Sequence, residues 1–117
     1  MRSDRDRLLD IQEAIARIER YVAEGRQSLR EDEVLQQAVL RHLQIVGEAV
    51  RALSPEMKEK HPNVPWTKIV GMRHVLVHNY FDVDEEVVAE VVKHDLPDLK
   101  RKVTAILREL GSSEANS

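Results

Sequence analysis

The chain of 117 residues has no cysteine. A disulfide framework, a thiolate nucleophile and a zinc-cysteine site are therefore excluded. Aromatic residues make up only 3% of it, and glycine and proline number four each. Apolar runs are only a few residues long, far short of the ~20 that a transmembrane helix requires. The opening MRSDRDRLLD lacks the basic-then-apolar order of a signal peptide, so the cytoplasm is the expected compartment. Net charge is −3. A general nucleic-acid coat is thereby disfavoured, because nonspecific affinity comes mainly from Lys and Arg neutralising phosphates, and any RNA would have to bind at a local patch.

What is present is helical periodicity. Leu8, Ile11, Ile15, Ile18 and Val22 recur every three or four residues and predict a helix over 4–24, capped by Ser3 or Asp4 and ended by Gly25. Asp32 can cap a second helix reaching Leu53, with Val39, Leu43, Val46, Val50 and Leu53 as its main stripe. Leu35, Ala38, Ile45 and Ala49 widen that stripe enough for more than one neighbour. His42 on this helix reads as a core or boundary histidine. Gly47 in its interior costs about 1 kcal/mol relative to Ala and suggests close approach of another backbone or of a partner.

Ser54-Pro55 is a cap followed by proline at the first helical position, which predicts a short helix over 55–60. The connector HPNVP is held extended by Pro62 and Pro65 and aims the next helix, which begins near 65–67. In that helix Trp66, Ile69, Val70, Leu76 and Val77 are expected to pack inward, and Gly71 to permit a close crossing. Asp82 or Asp84 can cap a further helix bearing Val87, Val88, Val91 and Val92. Asp95-Leu96-Pro97 then restarts or kinks it, and Leu99, Val103, Ile106, Leu107 and Leu110 complete the core. Gly111 is read as the stop, leaving 111–117 as a disordered tail after a domain of 1–110. The fold expected is all-α, a bundle of four main helices plus one short helix.

The most informative stretch is Trp66–Phe81, WTKIVGMRHVLVHNYF. It gathers Lys68, Arg73, His74, His78, Asn79 and Tyr80 with no carboxylate, although acids outnumber bases in the chain as a whole. Arginine presents a planar fork of donors suited to phosphate oxygens, and histidine gives and takes a proton near neutral pH. Together they could serve a phosphodiester without a metal. Positions five apart lie roughly 140° round a helix, however, so a straight helix does not aim Arg73 and His78 at one phosphate. Either the helix distorts near 77–79, or two copies face each other across a symmetric cleft. The plain structural alternative is an Arg paired with a surface acid and a His capping a helix end. His74, His78 and Asp82 stand four apart but lack a metalloprotease pattern, and no metal site is expected.

The run PWTKIVGMRHVLVHNYF resembles the signature of the HepT-like branch of the HEPN superfamily, whose Arg-x4-His-x-Tyr motif falls on Arg73, His78 and Tyr80. IVGEAVRAL before it and LPDLKRKV after it extend the likeness over about 4–107. The resemblance implies an up-and-down helical homodimer acting as a metal-independent endoribonuclease toxin, with Arg73 and His78 catalytic and no cofactor. It also implies a partner nucleotidyltransferase antitoxin of the MntA type, in a type VII-like system, which uses ATP to transfer AMP to Tyr80. His74 departs from the family, which usually has Asn there. His74, Asn79 and Glu48 stand as supporting candidates. Glu48 reads as a surface or capping carboxylate, or, by the family's Gly-Glu pair, as a group near the catalytic histidine. A noncatalytic helical adaptor for a nucleotidyltransferase, and a nucleotide-binding module, are the competing readings.

Overall fold

The computed structural model describes residues 2–24, 33–71 and 90–115. Helix α1 spans Asp4–Glu24. Ser3 caps it: the Asp6 N–H donates to Ser3 Oγ at 3.2 Å, and the Ser3 N–H donates back to Asp6 Oδ2 at 3.1 Å. Two free amides of the first turn are thus satisfied reciprocally. Leu8, Ile11, Ile15 and Ile18 are fully buried, whereas Val22, expected in the same stripe, is 40% exposed in the last turn. The stripe runs past the end of the surface it packs on.

The Ser3 backbone N–H, followed by its hydroxyl, holds the Asp6 carboxyl below the ordinary carboxylate range. A depressed folded-state pKa means the contribution is complete above the unfolded value and disappears as pH falls through the lower folded one. Acidification is therefore expected to fray α1 from its first turn. An NMR titration showing the Asp6 carboxyl at or above the ordinary aspartate value would contradict this.

Helix α2 spans Glu33–Ala52 and packs along α1; its expected cap, Asp32, lies outside the described residues. Val39, Leu43, Val46 and Val50 are fully buried, Leu53 nearly so, and Leu35, Gln36, Leu40, Gly47 and Ala49 broaden the buried arc. Ile45 does not join it. At 36% exposure it sits on the outer side of the helix, because the arc widens toward Leu40 and Gly47 instead.

Helix α3, Pro55–Lys60, begins as expected: the Met57 N–H donates to Ser54 Oγ at 3.2 Å, with Pro55 in the first turn. The Asp4 carboxylate accepts both the Ser54 N–H at 2.9 Å and the Ser54 hydroxyl at 2.6 Å, fastening the start of α1 to the start of α3. Helix α4 is described over 66–71. After the undescribed 72–89, a widened π turn at Val91–Asp95 leads directly into α5, Leu96–Ala115.

The π turn has a cause in sequence. Pro97 has no N–H and its ring crowds the preceding turn. The chain answers by opening the ladder one residue, with the Leu96 N–H donating to the Val91 carbonyl. Leu96, Leu99, Val103 and Ile106 then close the core against α1, where Gln12 Nε2 donates to Thr104 Oγ1 at 3.3 Å and Lys100 reaches Glu19 at 2.9 Å. Val87 and Val88 lie outside the described residues.

At the far end α5 does not stop at Gly111 but continues to Ala115. Gly111 does not adopt the left-handed conformation that ends helices at glycine, and a Cβ there would meet nothing within 4 Å. Among the described residues there is no strand, and no helix is long and apolar enough to cross a membrane.

Candidate functional site

Arg73, His74, His78, Asn79 and Tyr80 lie outside the described residues, as do Leu76 and Val77. What the structure shows is how the helix that leads to them is launched. The Ile69 N–H donates to the Pro65 carbonyl at 3.1 Å, making Pro65 the residue from which α4 starts. The Trp66 N–H turns back to the Val64 carbonyl at 2.9 Å. Trp66 and Ile69 are buried and Val70 is half-buried against the core, so the inward face of α4 matches its apolar residues.

Trp66 does more than pack. Its indole Nε1–H donates to two carbonyls at the end of α3, His61 at 3.0 Å and Lys58 at 3.2 Å. The same carbonyls accept the His61 N–H at 3.3 Å and the Val64 N–H at 3.2 Å, so the indole is a second donor at a helix end whose carbonyls have no partner further along the helix. One indole therefore closes α3 and anchors the first turn of α4.

The connector is held from its other side by α5. Lys102 Nζ donates to the Asn63 carbonyl at 2.8 Å and reaches the Asp98 carboxylate at 2.9 Å, and His61 Nε2 stands 3.8 Å from Glu109. The Lys102 hydrogen bond keeps the Asp98 carboxyl below its ordinary value. Lys68 on α4 lies 3.9 Å from Asp95 in the π turn. Between Pro65, Ile69, Leu96 and Leu99 there is a cavity of about 40 Å³, far below the ~300 Å³ of a small-molecule site. It is a packing gap beside the launch of the helix.

Two expectations about flanking residues change. A Cβ at Gly71 would meet nothing within 4 Å and the residue is exposed, so this glycine does not mark a close crossing. Gly47 is buried, as a close approach requires, and Glu48 beside it is exposed on α2. His42 is a boundary residue. Its Nδ1 lies 2.8 Å from the Ala38 carbonyl, which can only accept, so Nδ1 carries the proton. The ring meets Tyr21 edge-on at a centroid distance of 5.4 Å.

Sequence reasoning missed the double role of Trp66 and the Asp4–Ser54 clasp. An indole with a buried ring calls for an acceptor, which is a usable signal. Nothing in the spacing of residues 4 and 54 announces their contact.

Comparison with known proteins gives this scaffold its relatives. A family described as ribonuclease HepT-like matches residues 11–106, a span that contains positions 73, 78 and 80. A probable ribonuclease HepT of Thermococcus cleftensis is 42% identical over 102 residues, covering 86% of this chain and 93% of its own length. A candidate RNase of Caldanaerobacter subterraneus is 39% identical over 99 residues, 85% of this chain and 88% of that protein. Another, from Methanocaldococcus jannaschii, is 40% identical over 75 residues, 64% and 69% of the two chains. No solved structure matches. An all-α scaffold matched from α1 to α5, with relatives of this similarity over most of their length, places the chain in the HepT-like ribonuclease family.

Proposed function

We propose that this protein is a metal-independent endoribonuclease toxin whose active groups are Arg73 and His78. The observation that supports the reading is the Arg-x4-His-x-Tyr pattern in the sequence that follows the helix anchored by Trp66, within the span matched to a ribonuclease family. RNA carries its own nucleophile. The 2′-hydroxyl attacks the adjacent phosphorus, the bond to the 5′-oxygen breaks, and the products are a 2′,3′-cyclic phosphate and a 5′-hydroxyl. His78 moves the protons and Arg73 faces the charge that builds on the phosphoryl oxygens. Homodimerisation would let two copies of the motif line one cleft, the solution invited by the roughly 140° that a straight helix would put between Arg73 and His78. His74, Asn79 and Glu48 are the supporting candidates around it.

Control is proposed to act at Tyr80. A nucleotidyltransferase antitoxin transfers AMP from ATP to its hydroxyl, releasing pyrophosphate and placing a phosphate and a base where RNA must enter. Induced expression is the direct test. The parent should arrest growth and be rescued by the partner, His78→Ala should be harmless, and Tyr80→Phe should arrest growth without rescue. If all three are harmless at matched abundance, the protein is a noncatalytic adaptor for the nucleotidyltransferase. RNA cleavage in vitro should continue in excess EDTA, and its loss there would overturn metal independence.

A further inference from the structure

Between α1 and α2 lies a groove of about 650 Å³, within the ~300–1,000 Å³ of sites that take small ligands. Its walls include Arg17 and Tyr21 from α1 and Gln37, Arg41, His42 and Ile45 from α2. The core makes little use of the polar groups among them. Gln37 and Arg41 are exposed and have no ion-pair or hydrogen-bond partner among the described residues.

Charge in and around the groove is uneven. A smaller hollow of about 190 Å³ adjoins it, sharing Arg17, His42 and Ile45 and adding Asp10 and Glu13. Both carboxylates are already answered, Asp10 by Arg2 and Glu13 by Arg17 at 3.1 Å. Arg41 is therefore the charge left over, and its planar fork of donors suits phosphate oxygens.

The other walls offer what a base needs. Tyr21 is half-buried and meets His42 edge-on at a centroid distance of 5.4 Å, which steadies its ring. Every nucleobase has a π-face that an aromatic ring can receive, whatever the sequence. Because His42 Nδ1 donates to the Ala38 carbonyl, Nε2 is an acceptor in the neutral ring, and the Gln37 amide offers both donors and an acceptor. These groups can meet the amino and carbonyl groups on the edge of a base. An acidic peptide would answer the guanidinium alone, whereas a nucleotide brings anion, flat ring and polar edge together.

We propose that this groove is a subsite for one nucleotide of a single-stranded RNA, with its phosphate on Arg41 and its base against Tyr21. The choice of an RNA strand over a free nucleotide rests on the ribonuclease reading, and the subsite would let helices that do not carry the motif help to hold the substrate. Fluorescence anisotropy of the full chain with a labelled 2′-O-methyl oligonucleotide of about 12 nucleotides tests it. That strand lacks the 2′-hydroxyl nucleophile, so binding is read without cleavage. Arg41→Ala should weaken binding about threefold or more and reduce the slope of log K against log salt by about 0.7, the loss of one phosphate contact on a single strand. Tyr21→Ala should raise Kd by about five- to 150-fold with the slope unchanged, and Tyr21→Phe, which keeps the ring, should bind within about twofold of the parent. Circular dichroism checks that each variant keeps its helix content.

A parent that does not bind the strand, an Arg41→Ala protein with the parent's affinity and salt slope, or a Tyr21→Phe protein as weak as Tyr21→Ala would each overturn the proposal. So would displacement of the strand by AMP, ATP or polyglutamate at concentrations near the strand's own Kd, which would assign the groove to a free nucleotide or an acidic peptide. Variants that respond as expected in a protein that cleaves no RNA would instead count against the ribonuclease reading and leave the subsite standing.

Discussion

Replacing His78 by alanine is expected to slow RNA cleavage by about 10²–10⁴-fold, the usual worth of a positioned proton-transfer group. The 2′-hydroxyl is a poor nucleophile while it keeps its proton, and the 5′-oxygen is a poor leaving group until it receives one. Removing the imidazole leaves both transfers to water. Arg73→Ala should cost about 10²–10³-fold, the range seen when one preorganised donor to a developing oxyanion is removed. Arg73→Lys should lie between, because it keeps the charge but loses the fork that can hold two phosphoryl oxygens at once. Cleavage of a defined RNA under single-turnover conditions reads all three. Added imidazole should partly restore His78→Ala and leave Arg73→Ala unchanged. An Arg73→Ala protein as fast as the parent would remove the proposed chemistry altogether.

The second large effect is expected at Trp66. Truncation to alanine vacates a buried indole and should lower stability by about 3–5 kcal/mol. Trp66→Phe separates the ring from its N–H. It keeps most of the bulk but removes the indole donor, while the Lys58 and His61 carbonyls keep the His61 and Val64 backbone N–H groups, so the cost is that of a lost hydrogen bond, about 0.5–1.5 kcal/mol. Because the same N–H fixes the first turn of α4, cleavage by folded Trp66→Phe should fall as well. Denaturant midpoints together with rates measured well below the transition separate the two contributions. A Phe variant as stable as the parent would show that the bifurcated hydrogen bond contributes nothing.

The periodic residues made most of the scaffold readable. Leu8, Ile11, Ile15 and Ile18 on α1, and Val39, Leu43, Val46 and Val50 on α2, are buried because a 3.6-residue repeat leaves them one face to share. Ser54-Pro55 gave the start of α3 by cap chemistry, and Pro65 gave the start of α4. Errors fell where a residue's meaning depended on something outside its own helix. Ile45 and Val22 are apolar and suitably spaced, yet whether such residues are buried depends on where the neighbouring helix lies. Gly71 and Gly111 look like contact or stop signals, but a glycine is compatible with an ordinary helix at modest cost. Arg73, His78 and Tyr80, the proposed active groups, are legible only as a sequence pattern and lie outside the described residues; the structure adds the footing of α4, whose described part ends at residue 71.

Helix α3 draws these threads together. Six residues are too few to hold a helix in water, since nucleation alone outweighs the gain from so short a ladder. It exists because both its ends are closed from elsewhere, by Ser54 under the carboxylate of Asp4 and by the indole of Trp66. The segment therefore behaves as a rivet between the first turn of α1 and the root of α4. Loosening it at either end frees the other, so a change at Asp4 should be felt in the orientation of a helix more than sixty positions further along the chain.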